Sequence, residues 1–263
     1  MSHTAFQNEV YRFLSDYKHS AFPDAQDGTW RNVSYGHVFI KEDAFNNILI
    51  PKSSGISLIR KQNSYKIVID NHHQFSLHAD WSHLNSSQIL CINYFYDFLS
   101  NPDKLSTFVN LLGITMKPIC GEFEVNPGDG SSIDFVVHFE NGKSLFCEIK
   151  YSESNFGKAD TKKYGEDFYR NRKKKYYSNV KITDIDYFKY YQIVRNICLA
   201  TSGNHTLFLY PSRNKSVAND LTKGLESISK IEDFAYHQFT WEALLQKIPN
   251  SKVQEKYFPY TND

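Results

Sequence analysis

Apolar residues three and four apart over residues 3–19, at Phe6, Val10, Phe13, Leu14 and Tyr17, predict an amphipathic helix that Pro23, Asp24 and the Asp27-Gly28 pair end. Between 35 and 70 the pattern changes to short apolar runs, YGHVFI, NILI and YKIVID, bounded by Pro, Ser, Gly or Asn, which predict strands. The helical period returns at residue 85. Ser86 or Ser87 caps a stripe of Ile89, Leu90, Ile92, Phe95 and Leu99, and Pro102-Asp103 opens a second helix closed by Gly113. A strand with Glu122 and Glu124 on one face follows, then a loop at 126–130. Asp186 starts a helix with Tyr187, Tyr190, Tyr191, Val194, Ile197 and Cys198 inward, Gly203 stops it, and HTLFLYP reads as another strand. Residues 216–230 and 240–247 read as closing helices, with Phe239 and Trp241 packing.

Residues 133–150, IDFVVHFENGKSLFCEIK, concentrate the candidate chemistry. Period-2 alternation puts Ile133, Phe135, Val137 and Phe139 on one face and Asp134 on the other. Asn141-Gly142 supplies a two-residue hairpin turn, and on the returning strand Phe146, Glu148 and Lys150 share a face. A hairpin register can bring Asp134 beside Glu148 and Lys150, a trio that is costly to bury without a purpose. Two carboxylates with the Ile149 carbonyl offer hard oxygen ligands to Mg²⁺, with Mn²⁺ as a substitute. A bound divalent ion lowers the pKa of water and neutralises charge on a phosphodiester under attack. Lys150 would hold the attacking water and face the phosphate. Strand, helix and strand from 145 to 211 require a crossover and so a parallel pair. The fold class is therefore α/β, a mixed central β-sheet flanked by helices. Residues 1–80 form an N-terminal helix and strand-rich extension, and residues 81–263 the core with C-terminal helices.

The Ile133-Asp134 and Glu148-Ile149-Lys150 pattern resembles the PD-(D/E)XK, restriction-endonuclease-like nuclease superfamily, with Ile133 in place of the proline that names the motif. Within it the chain is similar to a group of bacterial putative restriction endonucleases through residues 86–95, 121–124, 131–137, 147–157 and 189–196, a resemblance spanning roughly 80 to 210. It implies a restriction-endonuclease-like core with Asp134, Glu148 and Lys150 as catalytic residues and Asp134, Glu148 and Ile149 as metal ligands. It also implies a supporting acid, for which Glu124 is the candidate, beside a solvent-facing glutamate as the alternative. Asn93 takes either a place near the site or a buried hydrogen-bonding role in its helix. Gln192, Arg195 and Asn196 project together by their spacing. The resemblance implies that Arg195 contacts phosphate or fixes a carboxylate and that Gln192 supports it; an ion pair of Arg195 with Asp184 or Asp186 is the alternative.

Composition narrows the function classes. No run approaches the roughly 18 apolar residues of a membrane span, the start is no secretory signal, and the cytoplasm is the default location. Cys91, Cys120, Cys147 and Cys198 are widely spaced in apolar segments and read as buried thiols. His72, His73, His78 and His83 lack partners at a zinc spacing and read as loop or surface histidines. A net charge of +1 leaves nucleic-acid affinity to local clustering. The cluster is Lys158, Lys162, Lys163, Arg170, Arg172, Lys173, Lys174, Lys175 and Lys181, facing only Asp160, Glu166 and Asp167 within residues 158–181 and interleaved with tyrosines. The expected function is a Mg²⁺-dependent endonuclease acting on DNA in restriction, phage defence or DNA processing. Its alternatives are a nuclease-fold module that binds nucleic acid or protein without cutting, and RNA as the substrate. Symmetric cutting of both strands would favour a homodimer, whereas nicking or end processing needs one chain.

Overall fold

The computed structural model describes residues 4–61, 64–69, 73–99, 101–228 and 234–261. The chain opens with α1 (Ala5–Ala21), the hairpin β1 (Asp27–Trp30) and β2 (Val33–Phe39), and the antiparallel strands β3 (Ser57–Lys61), β4 (Ser64–Ile69) and β5 (His73–Ser76). Helices α2 (Ser87–Phe95) and α3 (Pro102–Leu111) follow, then β6 (Pro118–Val125), β7 (Ile133–Phe139) and β8 (Ser144–Ile149). Next come α4 (Thr161–Tyr164), α5 (Glu166–Tyr176), α6 (Asp184–Lys189), α7 (Tyr191–Leu199) and β9 (His205–Tyr210). The chain closes with α8 (Lys215–Glu226), β10 (Tyr236–Thr240), α9 (Trp241–Lys247) and α10 (Ser251–Tyr257). None of the described helices is long and apolar enough to cross a membrane.

Two compact units result, Met1–Lys104 with Glu242–Asp263, and Leu105–Trp241. The boundary expected at residue 80 thus falls inside the first unit, because α10 packs on α1 and α2. In that unit Thr4 and Gln7 form a reciprocal cap on α1, satisfying two amides at the helix start. The buried stripe of α1 runs Phe6, Val10, Leu14 and then Lys18, whose Nζ donates to Gln26 O, Asp27 Oδ1 and Val38 O at 2.7–2.8 Å. The run NILI is no strand: its first residue, Asn47, closes a 3-10 turn at Ala44–Asn47 and donates to the Trp81 and His83 carbonyls. Among the described residues no three His, Cys, Asp or Glu side chains gather as a metal cluster. His72 and the side chain of His73 lie outside the description; His83 packs edge-on to Trp30 and His37.

The second unit holds a five-stranded sheet in the order β10-β9-β8-β7-β6. β6, β7 and β8 pair antiparallel, and β8, β9 and β10 parallel, so the sheet is mixed and flanked by helices as expected. Its edge strand β10 escaped the sequence reading, since its alternation runs straight into the helix that Trp241 begins. The hairpin turn differs in detail. Gly142 N donates to Phe139 O, and only Gly142 of the Asn-Gly pair has positive φ, giving a three-residue loop. The long helix expected from Asp186 is two, α6 capped by Thr183 and α7, with a break at Tyr190. Residues 229 and 230 of the expected 216–230 helix lie outside the description, and α8 ends at Glu226. All four cysteines are free thiols; Cys120, on an edge strand, is only half-buried.

Lys256 of α10 is wholly buried in the first unit, its Nζ donating to Asn47 O at 2.7 Å, and burial holds it well below its ordinary value. The unfolded chain takes up a proton that the folded state refuses between that lowered value and 10.5, so stability rises with pH across the window. Denaturant titrations from pH 8 to 10 should show wild type gaining on Lys256→Met by at most about 1.4 kcal/mol per pH unit. Parallel pH slopes for the two proteins would contradict a neutral buried amine.

Candidate active site

Alternation along β7 buries Ile133, Phe135, Val137 and Phe139 in the core and leaves Asp134 half-buried on the opposite face. The register from Phe135↔Cys147 to His138↔Ser144, carried one step further, sets Asp134 across from Glu148. Ile149 N donates to Asp134 Oδ2 at 2.7 Å, locking the aspartate onto the end of the neighbouring strand. Glu148 is buried to 3% exposure and its carboxylate is met by side-chain donors: Lys150 Nζ donates to Oε1 at 2.7 Å, while Arg195 and Asn196 donate to Oε2 at 2.7 and 2.9 Å. Lys150 also donates to Gln192 Oε1 at 3.0 Å.

Helix α7 therefore delivers three side chains, Gln192, Arg195 and Asn196, to one carboxylate and its lysine. Arg195 fixes the carboxylate, and its second amine donates to Ser132 O at 3.2 Å, just ahead of β7, so one guanidinium ties both acid-bearing strands. Its ion pair is with Glu148 and not with Asp184, which instead pairs with Arg170 and Lys173. Gln192 lies against Gly157, where an added Cβ would come within 2.5 Å of its amide carbon. With a φ of +123° there as well, glycine is the residue that lets the loop after β8 approach α7. Asn214 donates to Tyr151 O and Glu153 O, Asp220 accepts from Phe156 N, and Trp241 Nε1 donates to Lys150 O, so the segment leaving β8 is tied down along its length.

The charges divide the two acids. Burial, the Glu148 charge and, more weakly, Glu124 raise the Asp134 carboxyl well above the usual carboxylate range against the pull of Lys150. Burial pushes Glu148 up too, but Lys150 and Arg195 outweigh it and hold it low. Burial works against the Lys150 ammonium, yet Glu148 and Asp134 keep it above its ordinary value. The pair thus holds one firmly ionised acid and one that resists ionising, a polarised arrangement common where charge is handled.

Glu124 sits between the pairs Phe123↔Phe135 and Val125↔Ile133, opposite Asp134, with φ +52°, a strained geometry for a glutamate. Asn93 belongs to the first unit, where its amide accepts from Leu49 N and donates to Asn47 O and the Tyr257 hydroxyl: the buried hydrogen-bonding role. The basic residues split. Arg170 pairs with Glu166, Asp167 and Asp184, Lys173 with Asp184 and the Ile182 carbonyl, and Arg172 with buried Asp129. Lys158, Lys162, Lys163, Lys174 and Lys175 are exposed. Ser131 and Tyr177 also donate to the Asp129 carboxylate, and the network went unread in the sequence because Arg172 and Tyr177 lie 43 and 48 positions from Asp129.

A mixed five-stranded sheet with helices on it, two acids and a lysine meeting where an antiparallel hairpin turns into parallel pairing, is a restriction-endonuclease-like core, and that is the class to which fold and site assign the chain. The chain belongs to the family described as Restriction Endonuclease associating with ARP, whose model matches residues 14–260. A search of curated proteins returned no match.

The opposite charge preferences of the two acids predict opposite effects on stability. Asp134→Asn removes a carboxylate that resists ionising and should raise Tm by about 2–4 °C, on the order of 1 kcal/mol. Glu148→Gln strands Lys150 and Arg195 in the interior and should cost roughly 3–5 kcal/mol in denaturant titration. Equal shifts of the same sign would refute this division of charge.

Proposed function

We propose that the chain is a divalent-metal-dependent endonuclease that hydrolyses DNA phosphodiester bonds in restriction, phage defence or DNA processing. The observation that carries this reading is the convergence of Asp134, Glu148 and Lys150 at adjacent strand ends. The donor set suits a hard, hydrated cation: two carboxylates, Asp134 half-open to solvent and Glu148 buried, with the backbone carbonyl of Ile149 as a further oxygen at the end of the same strand as Glu148. The raised Asp134 carboxyl supports the same conclusion, since the Glu148 charge beside it outweighs the pull of Lys150 and a cation bound there would offset it. Asp134, Glu148 and Ile149 would hold Mg²⁺, or Mn²⁺ in its place. When bound, that ion supplies Lewis-acid stabilisation of the phosphate and acidifies a ligated water.

The remaining work falls to side chains already in position. Lys150 orients the attacking water and faces the phosphate, its ammonium steered by Glu148 and Gln192. Arg195 and Asn196 keep the Glu148 carboxylate ionised and fixed in direction, so little reorganisation is needed when charge builds on the phosphate. Glu124 adds negative charge on the Asp134 side. The exposed lysines from Lys158 to Lys175 hold the DNA backbone, a sequence-independent contact.

A plasmid assay with Mg²⁺, and with EDTA as control, tests the reading. Wild type should convert supercoiled DNA to nicked or linear product, and Asp134→Asn, Glu148→Gln and Lys150→Met should each fall to the EDTA level while still binding DNA. Full cutting by Asp134→Asn would overturn the assignment, and binding without cutting by the wild type would leave a binding module on a nuclease fold.

A further inference from the structure

The segment joining the candidate active strand to α6 carries aromatic rings on its outside. Tyr164 and Phe168 are 49% and 40% exposed, and their rings stack on each other at 5.2 Å between centroids and 25° between planes. The helix α5 reaches the interior through Tyr169, and both rings pack edge-on against that residue from outside, which leaves each still exposed to solvent. Each ring has a cation beside it: Lys163 Nζ lies 4.8 Å from the Tyr164 centroid and the Arg172 guanidinium 5.5 Å from that of Phe168. Tyr176, exposed at the end of α5, repeats the arrangement with Lys175 at 4.7 Å. The platform is anchored, since Arg172 also pairs at 3.1 Å with Asp129, in the loop leading into the strand of Asp134.

Lysines alone suffice to hold a duplex, whose base faces are hidden in the stack. Flat rings among phosphate-binding cations gain most from bases whose faces are open. We infer that Tyr164 and Phe168, with Tyr176, form a stacking platform for the unpaired bases of single-stranded DNA, flanked by Lys162, Lys163, Lys174 and Lys175 for its phosphates. The inference takes its nucleic-acid substrate from the proposed function and narrows it to DNA with an unpaired stretch near the cutting site.

Fluorescence anisotropy of the full-length chain in EDTA, with a labelled 20-nucleotide oligothymidylate and a duplex of equal length, tests this without any cleavage. Tyr164→Ala/Phe168→Ala should lose roughly 10- to 100-fold in single-strand affinity and stay within about twofold on the duplex, the scale of one or two lost base stacks. Tyr164→Phe and Phe168→Tyr should bind as wild type. The dependence of single-strand affinity on salt should keep its slope in the aromatic double variant and flatten in Lys162→Gln/Lys163→Gln. Both aromatic positions are exposed, and circular dichroism checks that α5 persists. Equal losses on both DNAs, no loss on either, or no binding by the wild type would overturn the inference. Failure of Mg²⁺-dependent cutting alone would overturn the catalytic reading and leave this one standing.

Discussion

A carboxylate removed from water must be met by positive charge or protons, and Glu148 is the place where this requirement organises the second unit. Its donors come from just past the end of its own strand, two residues on, and from a helix more than forty residues later, so a single side chain ties the end of β8 to α7. Burial of this kind is poor evidence of stability, since well-packed apolar groups would do as well. It is better understood as alignment: Arg195 reaches from Glu148 to Ser132 and so ties the start of β7 to the acid on β8.

The surrounding packing serves that alignment. Gly157 admits Gln192, and Asn214, Asp220 and Trp241 fasten the backbone after β8, so Lys150 has little freedom except at its amine. The outer helices behave differently. Arg170, Arg172 and Lys173 are consumed in ion pairs, whereas Lys162, Lys163, Lys174 and Lys175 lie open to solvent.

The period-2 pattern of 133–150 was enough to put Asp134, Glu148 and Lys150 together, because core burial on one face of each strand leaves few registers. The spacing of Gln192, Arg195 and Asn196 foretold a shared face on α7, though which acid they meet depends on a crossover that spacing does not describe. NILI failed as a strand because three apolar residues have no period of their own, and Asn47 at its head donates its hydrogen bonds to distant carbonyls. Lys18 shows the converse: a charged residue continues the apolar stripe of α1 because three acceptors wait at its far end. Arg172 read as a surface cation for the same reason that Asp129 read as a loop acid, each having its partner outside any local window.

The sheet changes pairing direction at β8, with antiparallel neighbours on one side and parallel ones on the other. Chain segments leaving β8 and β9 therefore emerge along one rim, and those entering these strands along the other. Variation along the exit rim alters what reaches the acids, whereas lengthening the entry-rim connection before β9 leaves their spacing untouched. Diverged members of this family should accordingly tolerate insertions around Ser202-Gly203 more readily than around Ser154, a polarity of evolutionary freedom written into strand direction alone.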